Sequence, residues 1–77
     1  MRFKKTDFAA NILKAFQTSK KNDGLPQFIF AGANGWIHDG YPPVNQGYAK
    51  ITPAKCEIYE FDPVSGDHKF INEKAIN

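Results

Sequence analysis

Five side chains in this sequence have the chemistry to hold a metal ion or pass a proton: the pairs His38-Asp39 and Asp67-His68, and Cys56. Two imidazoles, two carboxylates and a thiolate would make a zinc site if the segments that carry them met edge to edge. The spacing argues against it. No C-x-x-C, H-x-x-x-H or H-E-x-x-H pattern is present, and those spacings are what place two ligands on one side of a turn or helix. Neighbouring residues of a strand point to opposite faces, so His38 and Asp39 cannot easily share one metal. The expectation is no metal and no cofactor.

Nucleophilic catalysis is the next candidate. Cys56 with His38 or His68 would form a thiolate–imidazole pair, but a cysteine alternating with Ile58 in a strand is more often a small buried hydrophobe. Ser19 and Ser65 stand outside any nucleophile-elbow pattern, and Glu57 and Glu60 project from opposite faces of one strand. The run F-A-G-A-N-G-W lacks the Walker lysine and the G-x-G-x-x-G spacing, and no helix follows it to receive a phosphate. No catalytic residue is assigned, and the chain is read as a non-enzyme.

What remains is binding, and two surfaces compete for it. The stretch G-Y-P-P-V-N-Q-G-Y places Tyr41, Pro42, Pro43, Asn45 and Tyr48 in a stiffened loop where they cannot all be buried, with Trp36 just before it. Aromatic side chains with little rotamer entropy are favoured interface anchors, so this set is the expected protein-binding surface. The alternative is a cover over the open edge of a sheet. The second surface is basic. Residues 1–21 carry Arg2, Lys4, Lys5, Lys14, Lys20 and Lys21 against Asp7 alone, a net +5. The remaining residues carry four lysines against seven acids, a net −3, within an overall +2. Such a basic pole can track phosphates, and strand aromatics can stack unpaired bases. The acidic second half would repel a polyanion, and the aromatics are needed for a core. The expectation is therefore a protein partner, with nucleic acid as the alternative and self-association through the charge dipole as a further form of contact.

These residues must be positioned by few elements. A chain of 77 residues makes one domain, residues 1–77, and buries only about 60% of the surface that its unfolded form exposes. The single cysteine excludes an internal disulfide and fits a reducing compartment, most simply the cytoplasm. The N-terminal apolar run is interrupted by Asn11, Lys14 and Gln17, unlike a signal peptide, and no stretch approaches membrane-spanning length. A small binder of this kind fits an accessory or inhibitory role of the viral or mobile-element type, acting in the host cytoplasm if so. That expectation rests on size and on the absence of catalytic chemistry, not on any residue.

Phe8, Ala9, Ile12, Leu13 and Phe16 form an apolar stripe at helical period, with Thr6 as the N-cap hydroxyl and Asp7 in the first turn. Lys20-Lys21-Asn22-Asp23-Gly24 ends that helix, with Gly24 as the left-handed cap. Gln27 to Ala33 and Trp36 to Asp39 read as a hairpin around an Asn34-Gly35 type I′ turn, in which Ala33 faces Trp36, Gly32 faces Ile37 and Ala31 faces His38. Pro42-Pro43 bars a central strand from the following loop, and Tyr48 to Thr52 reads as a short edge strand. Lys55–Phe61 and Asp67–Asn72 form a second hairpin in which Phe61 pairs with His68, Glu60 with Lys69, Tyr59 with Phe70 and Ile58 with Ile71. The fold expected is α+β: one N-terminal helix packed on an antiparallel sheet of about four strands, with Phe28 or Phe30, Tyr59 and Phe70 on the helix-facing side.

Overall fold

The computed structural model describes residues 5–75, with side chains from residue 7 onward. Helix α1 (Lys5–Lys21) is followed by five strands: β1 (Gln27–Gly32), β2 (Gly35–Asp39), β3 (Tyr48–Ile51), β4 (Lys55–Asp62) and β5 (Asp67–Ala75). All neighbours are antiparallel, in the order β2-β1-β3-β4-β5. The class is the expected α+β, with five strands rather than about four. The segment after the proline loop, expected as a short edge strand, is β3. β3 is the middle strand and not an edge, because it hydrogen-bonds to β1 on one side and β4 on the other.

The helix ends as its sequence dictates, with one shift. The Gly24 N–H donates to the Ser19 carbonyl at 2.8 Å, closing the last turn. Asp23 takes the left-handed conformation (φ 60°) alongside Gly24 (φ 82°). A short polar side chain tolerates that geometry, at some cost that glycine avoids.

Register decides which side chains share a face. In the first hairpin Gly32 pairs with Gly35, Ala31 with Trp36, Phe30 with Ile37 and Ile29 with His38. The two-residue loop is therefore Ala33–Asn34, and the positive φ falls on Gly35 (131°) rather than on Asn34. This moves every pair two residues from the expected register. In the second hairpin the first three expected pairs are present, but Ile58 pairs with Asn72 because a bulge at Ile71 inserts one residue into β5.

Paired residues of adjacent strands project to the same side of a sheet. One side carries Ile29, Trp36, Ala49, Ile51, Cys56 and Ile58. These pack under the helix, where Ala15, Ile29, Ala49, Ile51 and Cys56 form the buried core, with Phe8, Ile12, Phe16, Trp36 and Ile58 around it. Small and branched side chains let the helix sit close to the strands. The opposite side carries Phe28, Phe30, Tyr48, Tyr59, His68 and Phe70. The expected helix-facing set of Phe28 or Phe30 with Tyr59 and Phe70 is thus reversed, since Ile29 and not its aromatic neighbours meets the helix. The helix lies over β1, β2 and β3, and among the described residues it reaches β4 only through the side chains that pack on Cys56 and Ile58.

Candidate binding surface

The aromatic residues of the helix-free side form one continuous row across four strands. Phe28 of β1 meets Tyr48 of β3 edge to face, with ring centres 5.4 Å apart. Tyr48 stacks on Tyr59 of β4 at 5.0 Å, and Tyr59 meets Phe70 of β5 at 5.8 Å. His68 closes a second rank, 4.9 Å from Tyr48 and 5.4 Å from Phe61. Edge-to-face and offset contacts of this kind stabilise beyond the area they bury. The row is shielded at Phe28 and opens towards β5, where Phe70 is 53% exposed. Among the described residues no helix covers this side.

Beside the aromatics on the same side lies an ion network. Lys55 reaches Glu57 at 3.2 Å and Glu73 at 3.4 Å, and Lys50 lies 3.8 Å from Glu57. Glu57 and Glu73 are paired directly across β4 and β5, so Lys55 offsets a like-charge contact. The Tyr59 hydroxyl donates to Glu57 at 3.3 Å. Burial and then the Glu57 charge push the Tyr48 and Tyr59 phenols above their ordinary range. Hydrogen bonding to Glu57 holds the Lys55 ammonium above its own. With two cations against two anions, this part of the surface is nearly neutral.

The loop between β2 and β3 overhangs the same side and is fastened at both ends. The Gly40 N–H bonds the Asp39 carboxylate at 2.6 Å, and Gln46 donates from Nε2 to the Ala31 carbonyl at 2.7 Å. His68 donates from Nε2 to the Gln46 carbonyl at 2.9 Å, tying the loop to β5. Between the ties the chain is exposed: Tyr41 by 78% and Val44 by 84%. Pro42 and Asn45 are exposed with them and Pro43 is half-buried. A cleft of about 460 Å³ separates Tyr41 and Pro42 from Leu25, Pro26 and Phe28.

The residues expected to bind protein are therefore divided. Tyr41, Pro42, Pro43 and Asn45 stand together on the loop, and Tyr48 lies below them in the aromatic row. Trp36 is on the other side of the sheet, 4.7 Å from the Phe8 ring under the helix. Phe28, Tyr59, Phe61, His68, Phe70 and Val44 belong to the surface and were not expected there. The signal that finds them is side-chain shape: in β1, β3 and β4 alternation puts small and branched residues on one side and rings on the other, whereas β2 turns Trp36 to the helix and Ile37 to the rings.

Of the basic set, Lys14, Lys20 and Lys21 are exposed on the helix. Lys20 sits 5.3 Å over the Phe16 ring, and Lys14 lines a polar cleft with Asp7, Asn11 and Asn34. Arg2 and Lys4 lie outside the described residues, as do the side chains of Lys5 and Thr6. The helix and the aromatic row face opposite ways, so the basic helix and the sheet aromatics do not form one surface.

The titratable residues are separated too. His38, on the helix side, bonds the Gln27 side-chain oxygen at 2.9 Å, whereas His68 is on the aromatic side. Cys56 is buried, and that burial raises its thiol above the ordinary range, with Lys74 partly opposing. His38 lies three strands from Cys56, about 14 Å at ordinary strand spacing. Among the described residues no three His, Cys, Asp or Glu side chains converge as metal ligands. Among the described residues no helix is long and apolar enough to cross a membrane. The chain matches no protein-family profile, no curated protein and no solved structure.

Proposed function

We propose that this chain is a small non-catalytic binding protein, and that it engages another protein through the helix-free side of its sheet and the loop over it. The observation that carries this reading is the aromatic row from Phe28 to Phe70, which runs on towards the exposed Tyr41 and Val44. Contiguous apolar surface left open on a small domain marks a contact site. Rigid rings bordered by balanced charges match the composition of a protein interface, with an aromatic centre and a polar rim. The loop adds a convex ridge of low conformational entropy.

Base stacking is the competing use of such rings. The charge placement favours protein, because a polyanion gains most from cations beside the rings. Here Lys50 and Lys55 are engaged by Glu57 and Glu73, and Lys14, Lys20 and Lys21 are exposed on the helix, which packs on the other side of the sheet. An accessory or inhibitory role in the cytoplasm, of the viral or mobile-element kind, is the narrower form of this proposal. Its support is the size of the chain and its single thiol.

The test compares three baits in nuclease-treated extract of the source cell: wild type, Tyr41→Ala with Phe70→Ala, and Lys14→Glu with Lys21→Glu. The proposal expects the first and third to retain the same protein and the second to lose it while keeping its circular dichroism spectrum. Loss of retention in the helix variant alone, or retention by the wild type only when nuclease is left out, overturns it.

A further inference from the structure

The helix lies over three of the five strands, and beside it the described residues of the same side form a groove rather than a flat surface. Phe8 and Ile12 of α1 form one wall, and Cys56 and Ile58 of β4 form the floor. Asn72, Lys74 and Ala75 of the edge strand form the far wall. The groove measures about 470 Å³, within the range of small-molecule sites, roughly 300–1,000 Å³. Its lining is apolar except along β5.

Lys74 is the cation of this groove. It pairs with Cys56 across the strands and so stands on the groove's side of the sheet; a lysine stem can lie along apolar surface while its ammonium stays in water. Lys74 lines the groove beside Cys56 and Asn72. The other strand lysines, Lys50, Lys55 and Lys69, each have a carboxylate within 4 Å. Lys74 has none among the described residues. Glu57 and Glu73, the acids nearest in the sheet, project to the opposite side and are taken by Lys55.

We propose that this groove is a second binding site, separate from the aromatic side, for a small amphipathic carboxylate: an apolar tail against Phe8, Ile12 and Ile58, and its head group at Lys74 and Asn72. The apolar lining supplies most of the affinity through area removed from water, and Lys74 sets the sign of the charge accepted.

The experiment titrates the full chain, labelled with nitrogen-15, with dodecanoate and separately with dodecylammonium, both below micelle formation, following backbone amides by NMR. The site predicts saturable shifts centred on Ile12, Cys56, Ile58 and Ala75, with dodecanoate bound more tightly than the cation of the same tail. Lys74→Glu, at an exposed position, reverses that preference. Lys74→Gln weakens dodecanoate by roughly two- to fivefold, as expected of a partly solvated ion pair. Bound dodecanoate also slows alkylation of Cys56. Four results overturn the proposal: equal binding of both head groups, shifts centred on Tyr48 and Tyr59, no saturation, or indifference to Lys74→Glu. Contacts between the Phe3 ring and Ile58 in the free protein would show that the chain closes the groove itself, and overturn it too.

Discussion

Glu57 concentrates the polar chemistry of the open side, because two lysines and the Tyr59 hydroxyl converge on a carboxylate whose side chain is only 14% exposed. Glu57→Gln removes the charge and leaves Lys50 without its partner. Urea denaturation is expected to show a loss of about 1–2 kcal/mol, the scale of a charge-assisted hydrogen bond at a half-buried site. The same change lowers the Tyr48 and Tyr59 phenol pKa values towards the ordinary 10.0, which ultraviolet titration of phenolate checks. Both phenols and the Cys56 thiol are raised in the folded chain, so the folded state holds these protons more tightly than the unfolded one. Their contribution is complete below the unfolded values, 9.0 for the thiol and 10.0 for the phenols, and is lost as pH rises through the folded ones. The urea midpoint is therefore expected to fall on the alkaline side, beginning later in Cys56→Ala. Asp62 has the opposite sign. The Val64 N–H and Lys69 hold its carboxyl below the usual range, so its contribution is lost as pH falls through that lowered value. Much of this was legible from residue types: the buried cysteine and the Asp62 turn follow from alternation and turn chemistry. The meeting of Lys50, Lys55 and Glu57 was not, because it joins two strands whose pairing appears only once β3 is known to be central.

At the scale of elements, the helix and the second hairpin were the readable parts. Helical period at Phe8, Ile12 and Phe16 and the basic, glycine-ended C-terminus needed no tertiary information, and the Phe61–His68 register followed from turn length. The first hairpin misled because Asn34-Gly35 is a strong turn signal that competes with another two-residue loop, and Gly35 satisfies a positive φ in either. The face assignment misled because both sides of β1 are apolar, so alternation alone has no sign. Close approach to a helix selects Ile29 over Phe28 and Phe30. The joint between the proline loop and β3 depends on Gly47, where an added Cβ would lie 2.8 Å from the Tyr59 carbonyl oxygen. Backbone cannot yield there as a flexible side chain would. Gly47→Ala is expected to cost about 1–3 kcal/mol and to raise amide exchange through residues 40–47. Gln46→Ala removes only the side-chain tie to Ala31, so exchange should rise in the loop with little change in melting temperature. Equal effects of the two substitutions on global stability would contradict this division.

The whole molecule is a sheet with two unlike sides. One is half-covered by a basic helix, with a groove beside it; the other carries aromatic rings and a fastened loop. A small core of this kind supplies about 3–5 kcal/mol of net stability, so leaving rings such as Phe70 half in water forgoes burial that the fold could use. That is the physical reason to assign the open side a partner. It also predicts that Phe70→Ser lowers stability little, within about 1 kcal/mol, because much of the ring is already solvated. The charge dipole was visible in the sequence, but its separation from the aromatics was not, since that depends on which side the helix covers. The most direct measurement places a photo-cross-linking benzoylphenylalanine at position 70 and, in a second sample, at position 14, and irradiates each in extract of the source cell. A discrete protein adduct from position 70 and none from position 14 is the result this account predicts. An adduct from position 14 alone, or one from position 70 that nuclease removes, would contradict it.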